Sequence, residues 1–322
     1  MSAMTFPRLA ARNRLLVLDR EAGDFSDHAV HDLPDVLSPG DLLVVNDAAT
    51  LPASVWATFQ GQDVELRLAE APDAVGHAWA VTFGAGSWRQ PTELRLAPPP
   101  LDTGDVLRVG GVPVAVVRTS TQHPRLVRVQ LPEAALWRHG RPVQYSYLDR
   151  DLQLHEVQVP YAGRPWAVEM PSAGRPLGQA LRASLAERGV TLAAVTHGAG
   201  LSSTGDPALD AALPLPERYE VSQDTWDAVA SAERVIAAGT SAVRALESAA
   251  RGPLAGRTEL VLGPQTPLRV VDGLLSGMHE PDEPHFRMMG AFASPDLLRA
   301  AHRHAVSAGY RNHEFGDSTL IL

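Results

Sequence analysis

Arg234-Val235-Ile236-Ala237-Ala238-Gly239-Thr240-Ser241-Ala242-Val243-Arg244-Ala245-Leu246-Glu247-Ser248-Ala249-Ala250 reads as a buried strand, a one-glycine turn and a helix. Arg234–Ala238 is a short, mostly apolar run of strand length, and Thr240–Ala250 has helical composition. A strand running straight into a helix through Gly is the unit of an α/β sheet. Thr240 fits the N-cap, and Arg244 lies one turn into the helix. A helix start after a Gly turn offers free N–H groups to a carboxylate or phosphate. Arg244 could grip a carboxylate in two parallel bonds. The same pattern also serves as a plain structural turn.

Working outward, the strand–helix texture continues. Leu177–Arg188 is a helix closed by Gly189, and Val190–Val195 is a strand. Asp224–Glu233 reads as a helix, Thr258–Leu262 and Leu268–Leu275 as strands, and Thr319–Leu322 as a terminal strand. Ser294-Pro295 opens a helix that Gly309 ends. Upstream, Arg14–Asp19 and Asp41–Asn46 are buried strands. Between them and the α/β half the period changes to two. Val64–Leu68, Glu93–Leu96, Val106–Val109, Val112–Val117 and Leu126–Leu131 alternate, separated by turn signals such as Gly110-Gly111. The expected fold is α/β: a main domain over 1–57 and 146–322, with a small all-β domain inserted at 58–145.

Composition excludes much chemistry. The chain has 322 residues, no Cys and no Lys; all 28 basic residues are Arg. Disulfides, thiolate nucleophiles, Cys-ligated metals, Schiff-base lysines and a P-loop lysine are therefore absent. There is neither a G-x-S-x-G nor a G-x-G-x-x-G motif. No apolar run approaches the roughly 20 residues of a membrane span, and Met1–Asp19 has too short an apolar core for a leader. The expected location is the cytoplasm. Net charge is −9, which gives no general support for nucleic-acid binding. However, Arg118, Arg125, Arg128, Arg138 and Arg141 cluster with one acid, Glu133, and could meet phosphates or form a solvated strand face. His279 and His285 flank Glu280-Pro281-Asp282-Glu283-Pro284, which could seat a metal or be a solvated loop; His28 and His31 read as loop residues.

Taken in order, the segments resemble the S-adenosylmethionine:tRNA ribosyltransferase-isomerase family of queuosine biosynthesis. The resemblance runs through Arg14–Asp19, Leu37–Asp47, Gln158 with Tyr161-Ala162 and Pro171-Ser172-Ala173-Gly174. It continues through Val195–Gly200, Glu217 with Glu220-Val221 and Arg234–Ala250. Val271–Leu274, His279 with Pro281, Ala291–Ala293, Tyr310-Arg311 and Gly316-Asp317 complete it. It covers nearly the whole chain.

The resemblance implies a barrel-like α/β domain carrying a β-barrel insert. It implies transfer of the ribosyl carbons of S-adenosylmethionine to the aminomethyl group of a 7-deazaguanine base in tRNA. Adenine and methionine are released, with no metal and no bound cofactor. A base must take a C5′ proton made acidic by the sulfonium, which suits a neutral imidazole; His197 and His279 are the candidates. Asp272 and Asn46 would orient ribose hydroxyls or the acceptor amine. Arg244, Gly239, Thr240 and Ser241 would hold the methionine carboxylate. Tyr161, Pro171, Ala173, Gly174, Gly198 and Gly200 would complete the binding surface.

The chain departs from the family where loops would face substrate. The usual Thr-Arg-Val after Asn46-Asp47 is Ala48-Ala49-Thr50; Leu-His-Phe after Ala173-Gly174 is Arg175-Pro176-Leu177; Ser-Thr-Leu is Glu283-Pro284-His285. These changes admit three readings: an ordinary divergent enzyme, a paralogue using S-adenosylmethionine with another acceptor, or an inactive binding protein on the same scaffold.

Overall fold

The computed structural model describes residues 13–322; residues 1–12 of the segment read above as too short for a leader lie outside the described residues. In chain order, β1 (Arg14–Asp19), β2 (Asp24–Ala29) and β3 (Asp41–Asn46) open a main sheet. An insert follows, with β4 (Ser54–Phe59), β5 (Gln62–Leu68), β6 (His77–Phe83), β7 (Val106–Val109), β8 (Val112–Thr119), β9 (Leu126–Gln130) and β10 (Gly140–Arg141). The main sheet resumes with β11 (Thr191–His197), β12 (Glu217–Val221), β13 (Arg234–Ala238), β14 (Ala255–Thr258), β15 (Gly273–Gly277) and β16 (Ser318–Ile321). The helices are α1 (Leu33–Val36), α2 (Glu133–His139), α3 (Gln179–Glu187), α4 (Pro207–Asp210), α5 (Gln223–Ser231), α6 (Thr240–Ala249), α7 (Pro284–Met289) and α8 (Pro295–Ser307).

The main sheet has nine strands in the order β14-β12-β11-β3-β13-β15-β16-β1-β2. Its centre, β11-β3-β13-β15, is parallel, and antiparallel pairs flank it. This explains why Asp41-Leu42-Leu43-Val44-Val45-Asn46 is apolar without alternation. Leu42 and Val44 join α6 and α8 on one face, while Leu43 and Val45 join α1 and α3 on the other. The insert closes on itself: β4-β5-β6-β9-β8-β7 is completed by a β7–β4 pairing at Arg108 and Thr58. Its inward residues, Val55, Leu66, Ala80, Leu107, Val116 and Val129 among them, fill the barrel.

The two crossings between sheet and barrel are stitched together. Gln158 accepts from the Thr50 N–H at 2.9 Å and donates to its carbonyl at 3.0 Å, and the Thr50 hydroxyl donates to the Val157 carbonyl at 2.6 Å.

Several expected elements take another form. The barrel begins at Ser54 rather than 58, because the alternation of Ser54–Phe59, with Val55 and Ala57 inside, straddles that point. Glu93–Leu96 is not a strand: a 3-10 turn at Thr92–Leu94 turns Arg95 inward to pair with Glu65. Leu268–Leu275 yields a strand only from Gly273, because the Arg269, Val270 and Val271 amides donate to the buried Glu247 carboxylate instead of a neighbouring strand. Thr258–Leu262 leaves the sheet after Thr258, and the Leu260 carbonyl accepts from Arg244 at 2.9 Å. His28 lies on β2, a polar edge strand with no apolar pattern to reveal it.

Candidate active site

The C-terminal ends of the parallel strands meet a cavity of about 1100 Å³, where an open α/β sheet binds its ligands. The walls include Glu169–Ala173, Ala199–Ser203, Glu217, Gly239–Ser241, Arg244, Ser276, Gly277, His279 and Pro281–His285, with His313 and Glu314.

Gly239 makes the turn from β13 to α6 with φ at 97°, which glycine tolerates. It is itself the N-cap, so Thr240 is the first helical residue and not the cap anticipated from sequence. The first intrahelical bond is Val243 N–H to the Gly239 carbonyl, which leaves the amides of Thr240, Ser241 and Ala242 outside the helical ladder. Thr240 and Ser241 line the cavity, so this helix start can receive an anion.

Arg244 also reaches the wall, but its fork is already engaged. It pairs with Glu217, donates through Nε to the Leu260 carbonyl and through a terminal nitrogen to the Thr258 carbonyl at 3.4 Å. The other Glu217 oxygen accepts from the Gly200 N–H at 2.6 Å. Two parallel bonds to a ligand carboxylate are therefore not available. Arg244 instead fixes Glu217 and, through it, the 198–202 loop. Burial lowers its guanidinium to about 10.

His197 sits behind this pair rather than in the cavity. It is fully buried, and its Nε2 lies 3.4 Å from Glu217. Burial, reinforced by Arg244, lowers it to about 3, so it is a neutral imidazole without access to substrate. Asn46 is likewise internal: its amide donates to the His197 carbonyl and Ser241 Oγ, and its oxygen accepts from the His197 and Ala48 amides. Asp272 lies at the opposite end of the sheet, accepting from the Val235 N–H at 2.8 Å. Asp272 stands where the chain enters β15, at the end of the strand away from the cavity, and so does not orient a ligand there.

Pro171, Ala173 and Gly200 line the cavity, whereas Gly174 and Gly198 are packing glycines. A Cβ at Gly174 would strike the Tyr161 hydroxyl, and one at Gly198 would come within 2.9 Å of the Trp166 carbonyl. Tyr161 is thus a support beneath the 171–174 turn.

His279 lines the cavity, as His285 and His313 do, and it is held by bonds at both ring nitrogens. Its Nδ1 lies 3.1 Å from Glu283 and its Nε2 2.9 Å from Ser276 Oγ. With Nδ1–H donating to Glu283, Nε2 is left as the acceptor, the tautomer a general base requires. Burial works to raise the Glu283 carboxyl, but the bond from His279, with smaller help from neighbouring groups, holds it below its ordinary value. His285 stacks on His279 with ring centres 4.8 Å apart, and burial lowers it to about 4. His279, Glu283 and His285 each offer a ligand atom within 4.8 Å of the others and could hold a metal ion. An ion there would compete with the bonds His279 already makes through both ring nitrogens.

Glu169, Ser202, Ser276 and Glu314 were not legible as site residues; each comes from a different segment and carries no local motif. The arginine cluster is mostly neutralised. Arg125 pairs with Asp206, Arg128 with Asp73 and Arg141 with Asp151, while Arg118 and Arg138 are exposed. Among the described residues, no helix is long and apolar enough to cross a membrane.

The family model described as "Queuosine biosynthesis protein" matches residues 3–321. The chain belongs to that family. A relative from Acidithiobacillus ferrooxidans, named S-adenosylmethionine:tRNA ribosyltransferase-isomerase, is 36% identical over 96% of this chain and 90% of its own length. One of the same name from Anaeromyxobacter dehalogenans is 34% identical over 96% and 92%. The crystal structure of S-adenosylmethionine tRNA ribosyltransferase from Thermotoga maritima shares the fold. It aligns with a TM-score of 0.54 and 24% identity over 100% of this chain and 96% of that one. The family match spans every wall of the cavity.

Proposed function

We propose that this chain is a non-methylating S-adenosylmethionine-dependent transferase-isomerase of queuosine biosynthesis. It moves the ribosyl carbons onto the aminomethyl group of a 7-deazaguanine base in tRNA and releases adenine and methionine. The observation that carries this reading is the family match across residues 3–321, which includes all the cavity walls. The relatives' shared name supports it, and no feature favours a different acceptor or an inactive protein.

The cavity, about 1100 Å³, lies at the large end of small-molecule pockets. It leaves room for an extruded base beside S-adenosylmethionine, as chemistry on a base in nucleic acid requires. The open amides at the start of α6 receive the methionine carboxylate. His279, oriented by Glu283, removes the C5′ proton. Arg244, Glu217 and His197 hold the surrounding loops from behind. The reaction runs in the cytoplasm with side chains alone, without a metal or bound cofactor.

Calorimetry with S-adenosylmethionine, followed by tracing of its labelled methyl group, tests the ligand assignment. Binding is expected, with the label leaving on methionine. Absence of binding at millimolar ligand, or label transferred to an acceptor as a methyl group, overturns it.

A further inference from the structure

Glu169 lines the cavity on the segment that leads into the Pro171–Gly174 turn. Its carboxylate accepts from the Ser202 N–H at 3.2 Å and the Ser202 hydroxyl at 2.7 Å. Among the described residues it has no ion-pair partner. The charged and titratable groups around it come from three directions. Glu314, which takes the Tyr147 O–H, faces it from the loop before β16. Tyr145 lies near it on the chain returning from the barrel. Arg67 acts from β5 at longer range, being itself bonded to Glu65.

The Glu314 segment also runs close to the base. The neighbouring His313 N–H donates to the Met278 carbonyl at 3.4 Å, so the 313–314 segment runs beside His279. Burial, with Glu314 adding to it, raises Glu169 to about 7. A carboxylic acid in that state is protonated in a large share of molecules at neutral pH and can give its proton away.

We propose that Glu169 is the general acid that protonates adenine as it leaves S-adenosylmethionine. The assignment rests on the function proposed above and names a catalytic residue for it. The protons balance. His279 takes one from C5′ and becomes an imidazolium. The C5′ pair forms a C4′=C5′ double bond as the C4′–O4′ bond breaks, the O4′ pair closes a C1′=O4′ carbonyl, and the C1′–N pair leaves with adenine, whose ring system receives the Glu169 proton, so that Glu169 becomes a carboxylate. The cavity's net charge is unchanged by the exchange. Ser202, donating twice to the carboxylate, stabilises the form left behind.

The test is Glu169→Gln, a neutral isostere that cannot donate an acidic proton. Adenine release is expected to slow about 10²–10⁴-fold, the range for losing a positioned general acid, while S-adenosylmethionine still binds by calorimetry. The wild-type rate is expected to fall as pH rises through about 7, because the acid form is lost; this limb should vanish in Glu169→Gln. Glu169→Asp, which keeps the acid on a shorter stem, should recover part of the rate. Infrared difference spectra of wild type against Glu169→Gln should show a protonated carboxyl at pH 6 that ionises by pH 8. A Glu169→Gln enzyme as fast as wild type, or one keeping the alkaline limb, overturns this assignment alone. A wild type that releases no adenine overturns the functional reading and this one with it.

Discussion

His279→Ala is expected to slow adenine release from S-adenosylmethionine by about 10²–10⁴-fold, the usual contribution of a positioned general base. Substrate affinity should stay close to wild type, because the site proposed for the methionine carboxylate is the start of α6 and not the imidazole. Glu283→Gln should give a smaller loss. It leaves His279 in place but replaces the charged acceptor of Nδ1–H by a neutral amide, a weaker acceptor that can also turn its NH2 toward the ring and so no longer fixes the tautomer. The split between rate and binding separates this role from a structural one, since a collapsed loop would lower both together. Single-turnover assays with calorimetry on the same samples check it. An active His279→Ala enzyme would return the base to another residue, and His285, stacked against it, is the first to examine.

Arg244→Ala is expected to destabilise the protein by about 3–5 kcal/mol, the cost of removing one partner of a buried ion pair and leaving the other unpaired. Both side chains are buried, Arg244 at 4% and Glu217 at 8% exposure. Glu217 alone would then face a cavity wall, with one oxygen still on the Gly200 amide. Arg244→Lys should recover only part, because a lysine cannot reach Glu217 and the Leu260 and Thr258 carbonyls with one planar fork. A double variant, Arg244→Met with Glu217→Gln, should cost less than the sum of its singles, since it leaves no unpaired charge. Urea unfolding midpoints measure all three. A folded Arg244→Ala protein of wild-type stability would show that the pair is not structural and would free Arg244 for ligand.

The same residue shows what sequence could and could not convey. The strand–Gly–helix reading of Arg234–Ala250 places Arg244 one turn into a helix, which is where it is, but offers its fork to a ligand carboxylate. The partner that occupies its fork comes from β12, 27 positions earlier, and no local pattern encodes that. His197 and His279 were equivalent as letters. The structure separates them because β11 carries its last residue inward under Glu217, whereas β15 ends two residues before His279 and frees it at the rim. Buried parallel strands announced themselves because both faces need apolar side chains. Elements decided by polar capture did not: Glu247 drew the 269–271 amides out of a strand, and Arg95 turned an alternating segment inward. Glu169 is the extreme case, since its chemistry depends on burial and on Glu314, 145 positions away.

Whether the ribosyl part of S-adenosylmethionine reaches a base in tRNA is decided by the product itself. The direct measurement is mass spectrometry after incubating the chain with S-adenosylmethionine labelled in the ribose and tRNA bearing the aminomethyl-deazaguanine base. Label is expected on the tRNA nucleoside, with adenine and methionine released in equal amount. Labelled S-adenosylmethionine recovered intact beside unmodified tRNA, or label appearing on a small molecule in place of the tRNA, would contradict the proposed transfer.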